Sequence, residues 1–135
     1  MILGIGSDLS DIRRIEKTCE RFGERFENRV FSAVEIATAN RKGKAGARAK
    51  AASLTKRFAA KEACAKALGT GISRGISWRD ISVSNLPSGA PTLVLSGKAA
   101  EKLKQLTPPG MTAQINLTMT DEYPIAQAFV VISAF

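Results

Sequence analysis

The chain has 135 residues, enough for one domain with a continuous core, and its 20 Lys and Arg against 12 Asp and Glu give a formal net charge of +8. Such a surface attracts polyanions, so nucleic acid, anionic lipid, an acidic protein and a phosphorylated small molecule are all candidate ligands. Histidine is absent, which excludes hydrolase triads with a histidine base, most zinc enzymes and phosphohistidine chemistry.

Cysteine usage and hydropathy predict the compartment. Cys19 and Cys64 are far apart and have no CxxC spacing, so two free thiols in a reducing environment are the default interpretation. No apolar run approaches the length of a membrane span, and the N-terminus lacks the basic flank and the length of a signal peptide. We therefore expect a cytoplasmic protein that is not inserted in a membrane.

The N-terminal third predicts one strand and two helices. Alternating residues 2–6 indicate a short strand that ends at Ser7 and Asp8, and Asp8, Ser10 or Asp11 can cap the helix that follows. That helix has an apolar face and a basic face. The apolar residues are Ile12, Ile15, Cys19 and Phe22; the basic residues are Arg14, Lys17 and Arg21, with Arg13 beside them. Residues 32–35 form a capping box for a shorter helix toward Asn40, and residues 41–46 read as a basic loop.

The remainder predicts a long helix, a hairpin, an amphipathic helix and two paired strands. Residues 47–68 are rich in alanine, and Gly69 stands where a helix end favours a left-handed residue; residues 69–75 then form a loop. Small side chains let other elements approach closely, so we expect this helix to be central. The hairpin strands are 81–84 and 92–95, the amphipathic helix is 97–106, and the paired strands are 113–120 and 125–132, with a turn at Asp121 and Glu122. The predicted fold class is α+β in a single domain, residues 1–135, with an antiparallel sheet packed against the long central helix.

Two carboxylates and a lysine outline a phosphate-handling site. Asp8 at a strand-to-helix turn and Glu62 on the central helix could meet one Mg²⁺, which takes one or two protein carboxylates and completes its shell with water and phosphate. Lys66 follows Glu62 by one helical turn, so its ammonium can reach a phosphate on the same side. The loop at residues 69–71 would supply either backbone N–H groups or room. Taken alone, the helix also fits an ordinary exposed Glu–Lys pair.

Four segments carry a family resemblance. They are ILGIGSD at residues 2–8, RFAAKEACAKALGTG at 57–71, WRDISV at 78–83 and NLTMTDEYPIAQA at 116–128. In this order, and over nearly the whole chain, they resemble the holo-acyl-carrier-protein synthase family of small, single-domain 4′-phosphopantetheinyl transferases. The resemblance implies a 4′-phosphopantetheinyl transferase-like fold. It also implies transfer of the phosphopantetheine arm from coenzyme A to a serine of apo-acyl carrier protein, with release of adenosine 3′,5′-bisphosphate.

The resemblance implies catalytic roles for three residues. Asp8 and Glu62 match the family's metal ligands, which hold Mg²⁺ against the pyrophosphate of coenzyme A. Lys66 matches the lysine that contacts this phosphate and neutralises charge as it moves to the leaving group. Phosphoryl-type transfer depends mainly on positioning and electrostatic stabilisation, so a site without histidine is chemically sufficient. The proton of the serine goes either to Glu62 or to a metal-bound water.

Further residues match the coenzyme pocket. Gly69 and Gly71 match the loop that accommodates the nucleotide, and Pro91 matches an element near the adenine, although turn chemistry explains these three residues as well. Many family members have a histidine in the last Ser-Leu-Ser-His segment, and this chain does not. Its pocket candidates in that segment are Thr118, Thr120 and Asp121.

The implied protein partner fits the charge of the chain. Acyl carrier proteins are small, acidic and helical, and the resemblance places their docking face on the first helix, at Arg13, Arg14, Arg21 and Arg25. Charges at an interface rim steer encounter and weaken with salt. Family members are typically trimers with sites between subunits, which implies a homotrimer.

Two rival classes have less support. Nudix-type pyrophosphate hydrolysis needs further carboxylates one turn along the helix, where this chain has Ala65 and Lys66. An RNA-binding domain fits the charge, but one Trp, one Tyr and six Phe without basic-aromatic alternation give base stacking little support. We therefore expect no nucleic-acid partner.

Overall fold

The computed structural model describes residues 1–72 and 74–135, so Ser73 of the predicted 69–75 loop lies outside the described residues. The strands and helices in chain order are β1 Ile2–Asp11, α1 Ile12–Phe22, α2 Glu24–Val30, α3 Ala33–Lys42, α4 Ala47–Ala67, β2 Ile81–Asn85, β3 Pro91–Leu95, α5 Gly97–Leu106, β4 Ala113–Glu122 and β5 Ile125–Ala134. Short 3₁₀ turns lie at Gly43–Ala45 and Trp78–Asp80. Within this described part of the chain, no helix is long and apolar enough to span a bilayer.

The strands form two antiparallel sheets. The larger has the order β1-β5-β4, and β2 pairs only with β3. The predicted hairpin and the predicted pairing of the last two strands are therefore confirmed. β1 continues past Asp8 because it pairs with β5 as far as Asp11. The β4–β5 turn falls at Tyr123 and Pro124 rather than at Asp121 and Glu122, which are still paired with β5.

Helix α4 lies directly against the backbone of β1. A Cβ on Gly4 would lie 2.0 Å from the carbonyl oxygen of Ala67, and a Cβ on Gly6 would lie 1.9 Å from that of Ala63. Such an approach requires glycine on the strand and small residues on the helix. The alanine-rich sequence of α4 thus allows the central position that was predicted for it. Asp8 is the next residue on the same face of β1, so it is carried against the second half of α4.

Helix α1 differs from its prediction at one residue. Asp11 caps the helix by accepting a hydrogen bond from the N–H of Arg13 at 2.9 Å, and Ile12 and Ile15 are buried as expected. Phe22, predicted on the buried face, is 43% exposed. The helix ends there because Gly23, with φ of +54°, redirects the chain into α2, and the guanidinium of Arg21 lies 5.0 Å from the centre of the Phe22 ring.

A fully buried ion pair joins α3, α4 and β2. Lys61 Nζ lies 2.7 Å from Glu35 Oε1, and both side chains have no exposed surface. Their other partners are main-chain groups: the carbonyls of Trp78 and Ile81 accept from Lys61, and the N–H groups of Ser32 and Val83 donate to Glu35. Burial lowers the pKa of Lys61, and the nearby Glu35 carboxylate opposes that shift. Because every charged atom has a partner, this pair fixes α4 against the smaller sheet.

Candidate active site

Asp8 and Lys66 meet at the end of α4. Lys66 Nζ lies 3.2 Å from Asp8 Oδ1 and donates to the carbonyl of Ser7 at 3.0 Å. The other carboxylate oxygen, Asp8 Oδ2, accepts a hydrogen bond from the Ser10 hydroxyl at 2.8 Å. The lysine is half exposed, whereas only 16% of the Asp8 side chain is accessible. The ion pair of Lys66 is therefore with Asp8, across two elements, and not with Glu62 on its own helix.

Glu62 provides a second carboxylate on α4. It is half-buried, and within the described chain it makes no hydrogen bond or ion pair. Burial raises the pKa of Glu62, the negative charge of Asp8 raises it further, and Lys66 opposes the shift. Lys66, one helical turn after Glu62, pairs with Asp8, so Asp8 lies beside the part of α4 that carries Glu62. A cation bound by both carboxylates would relieve their mutual repulsion.

The donor set fits a magnesium ion. Among the residues that the structure describes, no group of three or more His, Cys, Asp and Glu side chains comes together, so the chain offers two carboxylates and no closed cage. Mg²⁺ is commonly held by one or two carboxylates, with water and substrate phosphates as the other ligands. Tetrahedral zinc sites need three or four protein ligands, and this set does not provide them.

The glycine loop after α4 provides space, but the backbone N–H groups of its first three residues are already engaged. The N–H of Gly69 donates to the carbonyl of Lys66 at 2.9 Å, and those of Thr70 and Gly71 donate to the carbonyl of Ala65 at 3.1 Å. Gly69 and Gly71 have φ of +83° and +65°, and a Cβ at either position would meet nothing within 4 Å among the described residues. Of the two interpretations of this loop, the structure supports the one in which it leaves room beside Lys66.

Thr118 and Thr120 lie on the other face of the large sheet. Thr118 is paired with Phe129, which in turn pairs with Ser7 on β1, whereas Asp8 pairs with Ala128 on the α4 side. Cross-strand partners share a face, so within one chain Thr118 does not reach the Asp8 carboxylate. Thr120 follows Thr118 at a spacing of two and shares its face.

The remaining pocket candidates are on β4 and β3. Asp121 is held at 3.1 Å by Lys56 of α4. Pro91 is the first residue of β3, in the smaller sheet.

The basic residues of α1 and α2 surround an apolar groove. We define the α1–α2 groove by two adjoining recesses that share Thr18 and Phe26. The first, about 190 Å³, is lined by Ser10, Asp11, Arg14, Ile15, Thr18, Phe26 and Phe58; the second, about 270 Å³, is lined by Thr18, Phe22, Arg25, Phe26 and Arg29. Arg14 and Arg25, two of the residues predicted for docking, line this groove. Arg13 is engaged by Asp11, with Nη2 to Oδ2 at 2.6 Å.

Sequence reasoning did not identify three residues of this groove. Phe22 was predicted on the apolar face of the first helix, and no element was predicted for residues 24–30, which contain Phe26 and Arg29. The available signal was Arg25 and Arg29 at i and i+4, a spacing that places both on one helix face once α2 is recognised.

Comparison with known proteins identifies the class. The sequence of residues 4–128 matches the family model described as the 4′-phosphopantetheinyl transferase superfamily. The chain therefore belongs to the 4′-phosphopantetheinyl transferase superfamily, as the sequence resemblance predicted. A holo-[acyl-carrier-protein] synthase from Rhodopseudomonas palustris is 63% identical over 134 residues, covering 99% of this chain and 91% of the relative.

Solved structures support the same assignment. The holo-[acyl-carrier-protein] synthase of Neisseria meningitidis is 36% identical with a TM-score of 0.80, covering 98% of this chain and 99% of that one. The holo-[acyl-carrier-protein] synthase of Helicobacter pylori, solved in complex with coenzyme A, is 34% identical with a TM-score of 0.77, covering 96% of this chain and 99% of that one. The predicted α+β fold is confirmed.

Proposed function

We propose that this chain transfers the 4′-phosphopantetheine group from coenzyme A to a serine of an apo-acyl carrier protein, releasing adenosine 3′,5′-bisphosphate, at a site formed by Asp8, Glu62 and Lys66. The observation that carries the proposal is the Asp8–Lys66 ion pair at the β1–α4 contact, one helical turn from Glu62, in a member of this superfamily. Relatives named holo-[acyl-carrier-protein] synthase, one of them solved with coenzyme A, support the substrate assignment.

Each of the three residues has a distinct part in the reaction. Asp8 and Glu62 would hold Mg²⁺, which when bound supplies positive charge to the pyrophosphate of coenzyme A. Lys66 is half exposed and lies 3.2 Å from Asp8, so its flexible stem can carry the ammonium to a phosphate beside that carboxylate. Glu62 makes no hydrogen bond within the described chain, which also leaves it free to accept the serine proton, as a metal-bound water could do instead.

The α1–α2 groove is our proposed docking surface for an acidic, helical carrier protein. Arg14, Arg25 and Arg29 line the groove, and Arg21 is exposed at its edge above Phe22. Such an arrangement offers an apolar floor to a helix and positive charge to its acidic flanks. Ser10, which lines the same groove, donates to Asp8, so a carrier held there would lie next to the catalytic carboxylate.

We also propose that the protein is a cytoplasmic homotrimer. The face of the large sheet that points away from α4 carries four exposed apolar side chains: Ile5, Leu9, Ile125 and Phe129. An apolar patch of this kind on a protein surface commonly marks an interface. Thr118 lies on this face, so it would contribute to a coenzyme pocket only through a neighbouring copy, which agrees with sites between subunits.

A mass measurement tests the reaction. Incubation of the protein with apo-acyl carrier protein, coenzyme A and Mg²⁺ should add one phosphopantetheine to the carrier, and EDTA should prevent it. Asp8→Ala and Glu62→Ala should each lower kcat by about 10²–10³-fold while circular dichroism stays unchanged. Glu101→Ala removes an exposed carboxylate on α5 and serves as the control with unchanged turnover. An unchanged carrier mass with folded wild-type protein would sink the proposal.

Charge reversal tests the docking surface. Arg14→Glu and Arg21→Glu should each raise KM for the carrier about tenfold at low salt, and less at high salt, with kcat retained. Lys104→Glu makes the same charge change on α5 and should leave KM unchanged. A fall in kcat at saturating carrier with constant KM would contradict the docking assignment.

Light scattering after size exclusion tests the assembly. The wild type should elute with the mass of three chains, and Leu9→Glu should shift it to a smaller species because Leu9 is 67% exposed in the isolated chain. A fully active wild-type monomer would contradict the trimer.

A further inference from the structure

The carboxylate of Asp8 is held from both ends by hydrogen bonds. Lys66 engages Oδ1 at 3.2 Å, and the Ser10 hydroxyl donates to Oδ2 at 2.8 Å. The terminal torsion of an aspartate is broad, so a carboxylate without such partners rotates easily. The ammonium of Lys66 is at the end of a flexible, half-exposed side chain, whereas the short side chain of Ser10 is on the same strand as Asp8.

The neighbouring strand β5 does not provide this orientation. Asp8 and Ser10 stand two residues apart on one face of β1, opposite Ala128 and Ala126 of β5. Both alanines are fully buried, and a methyl group makes no hydrogen bond to a carboxylate. The neighbours on β5 therefore do not restrict the rotation of the Asp8 carboxylate. Its hydrogen-bond partners are Ser10 and Lys66.

We propose that Ser10 is a positioning residue for the metal-binding carboxylate of Asp8. This inference rests on the proposed role of Asp8 and extends it to a residue with no expected contact with the metal or the coenzyme. The hydroxyl of Ser10 occupies one lone-pair direction of Oδ2 and, together with Lys66 at Oδ1, restricts the rotation of the Asp8 carboxylate. Hydrogen bonds of this kind orient metal ligands, and their loss typically weakens metal binding 10–100-fold.

The position of Ser10 links the two halves of the proposed reaction. Ser10 lines the α1–α2 groove together with Arg14 and Thr18, while its hydroxyl faces Asp8. Ser10 therefore both lines the docking groove and supports the metal-binding carboxylate of Asp8.

Substitutions that differ only in the hydroxyl test this role. Ser10→Thr keeps the hydroxyl and Ser10→Val replaces it with a methyl group of equal size; both are β-branched residues that suit a strand. Mn²⁺ is titrated into the protein saturated with coenzyme A and free of carrier, and unbound Mn²⁺ is followed by its electron paramagnetic resonance signal. We expect Ser10→Val to weaken Mn²⁺ binding about 10–100-fold and Ser10→Thr to stay within about threefold of the wild type. Ser84→Ala removes a hydroxyl from β2 and should bind as the wild type does.

The outcomes separate this inference from the proposed function. Equal Mn²⁺ affinity in Ser10→Val and the wild type would overturn the positioning role, as would equal weakening in the Thr and Val variants, since that would indicate a steric effect. In urea titration the Ser10→Thr and Ser10→Val variants should unfold at similar urea concentrations, because they differ by a single hydrogen bond. A wild type that binds Mn²⁺ but leaves the mass of the carrier unchanged would refute the transferase reaction alone.

Discussion

Gly6 and Ala63 lie in close contact next to Asp8 and Glu62, so Gly6→Ala tests whether the β1–α4 contact positions the two carboxylates. The new Cβ would lie 1.9 Å from the carbonyl oxygen of Ala63, where ordinary van der Waals contact begins at 3.4 Å. β1 or α4 must therefore retreat by about 1.5 Å, because the atoms that it meets are backbone and cannot rotate away. Gly6 lies two residues before Asp8, and Ala63 is adjacent to Glu62, so the retreat acts directly on the site.

The magnitude follows from two separate effects. Overpacking of this kind costs about 1–3 kcal/mol of unfolding free energy. A displacement of about 1 Å in catalytic groups costs about 10²-fold in rate. We expect Gly6→Ala to remain folded, to lose about 2 kcal/mol in urea denaturation and to lose about 10²-fold in kcat for transfer to the carrier.

Gly43→Ala is the matched control. Its φ is −65°, and the added Cβ would lie 3.2 Å from the side chain of Lys50, away from β1. It should change the unfolding free energy by less than about 1 kcal/mol and leave kcat unchanged. Wild-type kcat in Gly6→Ala, with less than about 0.5 kcal/mol of destabilisation, would refute the view that this contact determines the site.

Three further predictions concern groups outside the catalytic site. Lys61→Met should lower the unfolding free energy in urea by about 3–5 kcal/mol, because it leaves the Glu35 charge buried without its partner, and Lys61→Met with Glu35→Gln should recover part of the loss. The hydrogen bonds from Arg13 lower the pKa of Asp11 to about 2 from 3.8. Asp11 therefore stabilises the fold above about pH 4 and loses this effect as the pH falls toward 2. In Asp11→Asn, the unfolding free energy should fall less steeply over this pH range. Burial raises the pKa of Cys64 to about 12, so an aromatic disulfide reagent at pH 8 should modify Cys64 only after unfolding.

Each of these has a contradicting result. Full recovery of the loss by the double variant of Lys61 and Glu35 would show that the hydrogen bonds to main-chain groups contribute nothing. If the unfolding free energy of Asp11→Asn falls with decreasing pH as steeply as that of the wild type, the Asp11 cap is already lost at neutral pH. Rapid modification of Cys64 in the native state would mean that the core around α4 opens.

Local patterns were sufficient to predict most of the elements. The capping box at Ser32 and Glu35 and the alanine-rich run of α4 each depend on neighbours in sequence, and the structure has a helix at both places. Alternation predicted β4 and an apolar run predicted β5, but the turn between them was placed two residues early. The reason is that Asp121 and Glu122 have turn-forming composition while tertiary pairing with β5 keeps them in the strand.

Long-range partners were not predictable from those patterns. Lys61 reads as an exposed helix lysine, and its partner Glu35 is 26 positions away, so nothing local indicates that both are fully buried. The same limit applies to Lys66, whose i−4 neighbour Glu62 was the obvious ionic partner until Asp8 was brought beside it. The roles of Asp8 and Glu62 came from family resemblance, since two isolated carboxylates do not specify a metal.

The two faces of α4 are packed by different means, and this makes the position of Glu62 testable apart from stability. On one side, alanines allow β1 to approach as far as Gly6 permits; on the other, the long side chain of Lys61 reaches across to α3 and β2. Gly6→Ala should therefore lower kcat much more than its loss of stability accounts for, whereas Lys61→Met should lose stability first and keep most of its kcat while it remains folded. If both variants lose kcat only in proportion to the fraction unfolded, the geometry of the β1–α4 contact does not limit the reaction. If Lys61→Met loses kcat while fully folded, the buried pair also positions Glu62.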